Sequence, residues 1–301
     1  MGASGSPPKS WVFLTLFLTF FFWGSVYVAG KMIANDVPAP LLACLRCVVA
    51  MAPLSLMARK HLGTKVARED AKYFVLVGII GYFLTIFLVQ LGISMTGAST
   101  ASLVNALTPV SVTVMAALIL KERITPVKCL CLVLALAGTV VVTCGAGGQR
   151  ELAGIAVILA SVLCWGVASV YMRLLTAKYP PILVTTYGMA ISLFLHIPVG
   201  LISAMRQPVW LSLPNTAVIL YLGLVGSGLS QFTWTKCLSV LPASTCSLFY
   251  PLQPVFSALL GALILGETFQ GTFFGGLLLI SVDVALSTWE VQRCGANLKG
   301  A

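Results

Sequence analysis

The stretch "SLVNALTPVSVTVMAALILKERIT" fills residues 102–125, and "SLFYPLQPVFSALLGALILGETFQ" fills residues 247–270. The two align without a gap at a constant spacing of 145 residues. Ser102/Ser247, Leu103/Leu248, Pro109/Pro254, Val110/Val255, the run Ala117–Leu120 with Ala262–Leu265, and Glu122/Glu267 are identical pairs. The echo starts further upstream, where "ASTASL" from Ala98 answers "ASTCSL" from Ala243 at the same spacing. One apolar segment is thus written twice, with a proline inside it and a glutamate at its end.

The solvent of that segment follows from composition. The chain of 301 residues is 59% hydrophobic and 9% charged, and its mean hydropathy is +1.01. So few polar groups cannot cover a water-soluble globule of this size, which makes the chain an integral membrane protein. About 20 residues rising 1.5 Å each cross the hydrocarbon core as a helix. Ten runs qualify. In the first half they are Trp11 to Ile33, Pro40 to Ala58, Tyr73 to Met95, Ala98 to Leu120 and Pro126 to Cys144. In the second half they are Leu152 to Leu174, Ile182 to Met205, Ala217 to Leu238, Ala243 to Leu265 and Gln270 to Trp289. Connections are short, which leaves no room for a soluble domain. The first run is read as a retained helix and not a signal peptide.

Short loops rich in lysine and arginine stay cytoplasmic. Placing both termini inside puts Arg59, Lys60, Lys65, Arg68, Lys121, Lys178 and most other basic residues on that side, and leaves Lys31, Arg150 and Arg206 outside. The net charge of +10 therefore reads as a topology signal of a cell (inner) membrane protein, and nucleic acid is not an expected partner.

Five helices is an odd number, so the second half enters the membrane from the opposite side. The expected fold is all-α, with ten transmembrane helices as two inverted five-helix repeats over residues 11–146 and 150–290. "WGSVYVAGK" from Trp23 and "WGVASVYMR" from Trp165 add to the repeat, each with a cation eight positions after its tryptophan, at Lys31 and Arg173. Inverted repeats are a common way to build two related gates around one midplane site, with alternating access by rocking one half against the other.

Trp-Gly in the first helix, Arg46 in the second, Pro109 in the fourth and the Leu-x-Glu ending at Leu120 to Glu122 resemble the EamA branch of the drug/metabolite transporter superfamily. The Leu-Gly-Glu form is intact only in the second copy, from Leu265. The resemblance covers essentially the whole chain. It implies ten helices, cytoplasmic termini, and carriage of small metabolites such as amino acids, often outward. Substrate does not transfer with fold.

Ser102, Asn105 and Pro109 share one face of the fourth predicted helix, and Ser247, Tyr250 and Pro254 are the same positions of the ninth. Polar side chains facing lipid cost free energy, so these faces should turn inward. Asn105 and Tyr250 then either line a solute cavity or hydrogen-bond neighbouring helices. The prolines each remove a backbone donor, which is tolerated where water or neighbours satisfy the freed carbonyl. Gln231 and Trp234 share a stripe of the eighth helix with Ser227. Gln90 lies in the third helix beside Phe83 and Phe87, while Trp23 and Tyr27 lie in the first. Aromatic rings with a polar edge suit an organic solute with an apolar part. Trp23, Trp165 and Trp234 read equally well as cavity wall or as core packing, whereas Trp11, Trp210 and Trp289 read as interfacial anchors.

A midplane arginine costs about 3 kcal/mol on insertion scales and needs partners. Arg46 reads either as a structural tie to backbone carbonyls or Asp283, the preferred reading, or as a hold on a substrate carboxylate or phosphate. Asp283 breaks the repeat and is a candidate for proton coupling, although the tenth helix is not expected to line the cavity. Glu122 and Glu267 are expected to cap the helix that follows each of them, and Lys31 and Lys236 to snorkel. Ser111, six positions past Asn105, is expected on another face of the fourth helix.

No acid pair, Ser/His couple, HExxH or metal-ligand spacing is legible, so no enzyme, cofactor or metal is expected. The expected function is a secondary carrier for a small organic metabolite, with a channel-like facilitator or a multidrug or organic-cation efflux carrier as the rivals. Cation efflux favours a carboxylate in the first helix, and Trp11 to Ile33 has none. "GTFFG" from Gly271 is a small-xxx-small motif that leaves monomer and homodimer both open.

Overall fold

The computed structural model describes residues 9–61, 63–122 and 148–268, with scattered positions in 125–137 and 271–286. The fifth and tenth predicted spans lie largely outside these residues, and Asp283 and Trp289 lie wholly outside them. Among the described residues there is no strand, and eight helices are long and apolar enough to cross a bilayer. They are α1 Lys9–Met32, α2 Ala39–Ala58, α3 Arg68–Met95, α4 Ala98–Leu120, α5 Gln149–Thr176, α6 Pro181–Arg206, α7 Leu213–Leu238 and α8 Ala243–Leu265. Predicted spans one to four correspond to α1–α4, and six to nine to α5–α8. Leu118, Phe194, Met205 and Leu263 project outward, as a lipid-facing belt requires.

Two of the irregular stretches fall at matched places, while a third, Gly261–Leu265 in α8, has no counterpart in α4. α3 carries a π-helical stretch at Val77–Leu84, and α7 carries one of the same length at Leu222–Leu229, 145 residues on. In each, a hydroxyl answers the wide turn. Thr85 Oγ1 donates to the Ile80 carbonyl at 3.0 Å, and Ser230 Oγ to the Val225 carbonyl at 2.7 Å. Glycines in these stretches set helix approach. A Cβ on Gly78 would lie 2.6 Å from Ile191 of α6, and one on Gly223 would lie 2.4 Å from Val49 of α2.

The prolines break their helices outright. α4 stops at Asn105 and resumes at Thr108 with Pro109 in its first turn, while α8 stops at Ser247 and resumes at Leu252, just before Pro254. A proline in the first turn has no intrahelical N–H to lose. The freed carbonyl of Asn105 accepts from Thr108 Oγ1 at 2.6 Å.

Both glutamates cap helix starts of the opposite copy, while the helices that follow them, where capping was expected, lie largely outside the described residues. Glu267 accepts from Ala98 N at 2.8 Å, from Ser99 N at 3.3 Å and from Ser99 Oγ, all at the start of α4. Glu122 accepts from Ala243 N at 3.3 Å, from Ser244 N at 3.4 Å and from Ser244 Oγ, at the start of α8. Each copy therefore supplies the acid that neutralises the other copy's helix N-terminus. The local reason is plain: Gly97 and Pro242, which precede these helices, provide no side-chain cap of their own.

The cations also find partners. Lys31 Nζ donates to the carbonyls of Ile93 (3.3 Å) and Thr96 at the end of α3. Arg173 does the same at the matched site, donating to the Leu238 carbonyl at the end of α7 (2.6 Å). Lys236 lies over the Trp11 ring, 4.1 Å from its centre, in a cation–π contact. At the start of α3, Asp70 receives Lys178 Nζ at 2.9 Å and Tyr179 Oη at 2.8 Å. At the start of α7, Asn215 Nδ2 donates to Asp36 at 3.0 Å.

Candidate functional site

The broken helices place Asn105 and Tyr250 at the edge of one cavity of about 470 Å³, a figure that includes the open solvent at its mouth. Both copies line it. The first contributes Trp23 and Tyr27 from α1, Arg46 from α2 and Asn105 from α4, and the second Trp165 from α5, Gln231 from α7 and Tyr250 from α8. The Asn105 side-chain amide donates to Gln253 Oε1 at 3.1 Å, joining α4 to α8 across the repeat. Trp165 Nε1 donates to the Tyr250 hydroxyl. Asn105 and Tyr250 thus line the cavity and bond neighbouring helices at the same time.

The aromatic wall is one cluster. Trp23 stands 5.8 Å from Trp165, 5.8 Å from Tyr250 and 5.6 Å from Trp234 between ring centres, and Phe20 packs edge-on against Tyr250 at 4.7 Å. Such tilted and edge-to-face pairs hold rings rigidly. Trp234 is fully buried behind this wall and outside the lining. Of the three deep tryptophans, two are therefore wall and one is core. Trp210, by contrast, is exposed, as an anchor should be.

Arg46 is buried, yet it lines the cavity, and among the described residues it is tied to neither a backbone carbonyl nor an acid. Its one hydrogen bond there runs from Nε to Ser227 Oγ, 2.7 Å away in the π-helical stretch of α7. The guanidinium thus faces the cavity without the carbonyl ties expected of a purely structural arginine, and Asp283, its other expected partner, lies outside the described residues. Smaller groups depart from expectation as well. Ser102 Oγ and Ser247 Oγ each turn back to the carbonyl three residues earlier, Ser99 and Ser244, at 2.9 Å in both copies. A short hydroxyl inside a helix commonly satisfies itself this way, so neither reaches the cavity. Gln90 is fully buried with its amide against Gly30 of α1, away from the lining. Ser111, expected on another face of its helix, is outside the lining and packs directly on Gly166 of α5.

Thr85, Ile86 and Val89 of α3, Val26 of α1 and Gln253 of α8 complete the lining without having been singled out from sequence. Gln253 had a signal, since it follows Tyr250 by three positions, next to Pro254. The α3 residues had none, because nothing in an apolar run tells which face meets the cavity.

With the geometry in place, the comparisons with known proteins decide the family. The EamA-like transporter family matches residues 10–144 and again residues 152–289. The chain belongs to the EamA-like transporter family. Among its relatives, an uncharacterized transporter of Archaeoglobus fulgidus is 26% identical over 283 residues, covering 92% of this chain and 99% of the relative. One of Clostridium kluyveri is 24% identical over 291 residues, covering 91% of each. A protein of Streptantibioticus cattleyicolor named as a probable terminal-alkyne amino-acid exporter is 28% identical over 258 residues, 84% of each chain. A solved crystal structure superposes with a TM-score of 0.73 at 23% identity, over 95% of this chain and 99% of that one. That likeness supports the fold alone.

For an EamA-like transporter the cavity chemistry is simple to state. Its wall is aromatic and aliphatic, its polar groups are amides, hydroxyls and one guanidinium, and no carboxylate is among the residues that line it. Such a site can bind and orient a solute, and it holds no described acid–base pair that could break one.

Proposed function

We propose that this membrane transporter is a secondary carrier that moves a small organic metabolite, an amino acid or related solute, by alternating access and in the outward direction. In this reading the chain has ten membrane-spanning helices in two inverted repeats, 11–146 and 150–290, with both termini on the cytoplasmic side of the cell membrane. Trp23, Tyr27, Asn105, Trp165, Gln231 and Tyr250 would contact the solute.

The observation that carries the proposal is the cavity shared by both copies, in which Asn105 of one bonds Gln253 of the other. A site built from matched positions of two repeats is what a carrier needs in order to offer the same solute to either side. The amino-acid reading and the direction draw on the printed name of the Streptantibioticus relative.

The test is counterflow of radiolabelled amino acids in vesicles reconstituted with purified protein. The expected result is saturable exchange that falls strongly in Asn105→Leu and Tyr250→Phe and is kept in Leu118→Ala, a bilayer-facing control. Ion-like conductance at high unitary rate, or exchange unchanged in both cavity variants, would overturn it.

A further inference from the structure

The cavity contains a cation with no described counter-charge. Arg46 is only 4% exposed and spends one N–H on Ser227. Among the described residues no carboxylate bonds it, and none lines the cavity beside it. Its Nη2 passes close over Gly226, where a Cβ would come within 3.2 Å, so the π-helical stretch of α7 leaves the guanidinium room. A buried cation with free donors is costly unless something anionic meets it. The planar fork of a guanidinium matches the two oxygens of a carboxylate.

A second buried group in the same cavity lacks a partner among the described residues. Gln231 Oε1 accepts no hydrogen bond there, although Gln231 is 6% exposed and lines the space. An acceptor left bare in a low-dielectric site is costly, and a small turn of the amide would present it to a donor on the solute. A neutral amide can take an N–H or an O–H equally, so it does not demand an ammonium. The aromatic wall could attract a cation through its ring faces. Arg46, however, already places a positive charge in the same small space, and like charges repel strongly where water is scarce.

Resting on the carrier reading, we infer that the site selects its solute by the carboxylate and not by the ammonium. The solute class is a small organic acid with an apolar, aromatic-sized body. Its carboxylate sits on Arg46, its body lies against Trp23, Trp165 and Tyr250, and a donor, where it has one, meets Gln231 Oε1. An α-amino group is permitted and not required, so amino acids and their des-amino analogues share one site.

Three compounds on one scaffold separate the groups: 3-phenylpropionate (carboxylate only), phenylalanine (both groups) and phenethylamine (ammonium only). Each is titrated against purified full-length protein while the melting temperature is followed, since a ligand that binds only the folded state raises it. The expected result is a rise with both acids and none with phenethylamine. Arg46→Gln should weaken both acids roughly tenfold to hundredfold, as loss of a charge-assisted hydrogen bond predicts. Gln231→Leu keeps Arg46 in place and serves if the arginine variant does not fold: it should keep 3-phenylpropionate and lose any preference for phenylalanine over it. The inference is overturned if phenethylamine stabilises the wild type as well as the acids do, if none of the three stabilises it, or if Arg46→Gln binds the acids unchanged. Saturable counterflow of a solute that lacks a carboxylate would leave the carrier standing and remove this inference alone.

Discussion

Replacing Glu267 by alanine removes three hydrogen bonds at once from the start of α4. Two come from the backbone, Ala98 N at 2.8 Å and Ser99 N at 3.3 Å, and the third from the Ser99 hydroxyl. Hydrogen bonds to a charged acceptor contribute about 1.5–3 kcal/mol each where they are short and buried. Glu267 is half-buried and one of its backbone bonds is long, so the three together are worth roughly 2–4 kcal/mol with the helix N-terminus included. Glu122→Ala removes the matched set from α8, but there both backbone bonds are long, at 3.3 and 3.4 Å. It should cost less, roughly 1–3 kcal/mol. The assay is reversible unfolding in mixed micelles, followed by far-UV circular dichroism, on single and double variants. Glu267→Ala with Ser99→Ala should show a coupling of about 1 kcal/mol or more, whereas Glu267→Ala with Ser244→Ala should be additive within about 0.5 kcal/mol. The reverse holds for Glu122. If Glu267 coupled to neither serine, or to Ser244, cross-capping between the copies would be wrong.

Two further outcomes test other links. Gly166→Ala would set a Cβ 1.9 Å from Ser111 Oγ and 2.9 Å from the Ser111 carbonyl carbon, and backbone cannot yield cheaply. It should lower stability by roughly 1–3 kcal/mol, while Gly63→Ala, with nothing within 4 Å, should leave the melting temperature unchanged. For topology, single cysteines are introduced on a background freed of the nine native ones. A cysteine at Gly63 should resist a membrane-impermeant reagent in intact cells and one at Gly148 should react, and the opposite pattern would reverse the assigned orientation.

How much of this was legible in the sequence depends on how local each feature is. The boundaries of α4 and α8 fall on the predicted residues, Ala98 to Leu120 and Ala243 to Leu265, because a bilayer demands apolar length and that can be counted. The cavity positions of Asn105 and Tyr250 followed from polar residues written at matched places in two apolar segments. Ser102 and Ser247 were misplaced by the same logic, since helical spacing gives a face and cannot say that a hydroxyl will bond its own backbone three residues back. The partners of Glu122 and Glu267 were illegible for a different reason. The groups they accept from lie on helices distant in sequence, and only the packed bundle says which N-terminus comes near. The π-helical stretches of α3 and α7 leave no periodic mark either, and the one in α7 carries Ser227 to Arg46.

The cross-copy contacts share a form that bears on mechanism. Gly78 of α3 meets Ile191 of α6, and Gly223 of α7 meets Val49 of α2. Glu267 holds α4 while Glu122 holds α8, and Asp70 and Asn215 fasten the starts of α3 and α7 to Lys178 and Asp36 of the opposite copy. Every one of these ties occurs twice, so neither copy can shift against the other without straining a matched pair of contacts, and a motion that breaks one member has a counterpart that breaks its twin. The ties are matched in position and unequal in chemistry. Asp70 meets an ammonium and a phenol, whereas Asn215 offers an amide to a carboxylate. In the cavity, likewise, an asparagine on one side answers a tyrosine on the other. In a carrier of the proposed kind, a strictly symmetric chain would hold its inward-open and outward-open arrangements at equal free energy, and a difference of about 1.4 kcal/mol between them would change their ratio tenfold. If the chain works by the alternating access proposed above, these unequal pairs, spread over a shared backbone plan, are the places where it would set which arrangement it rests in.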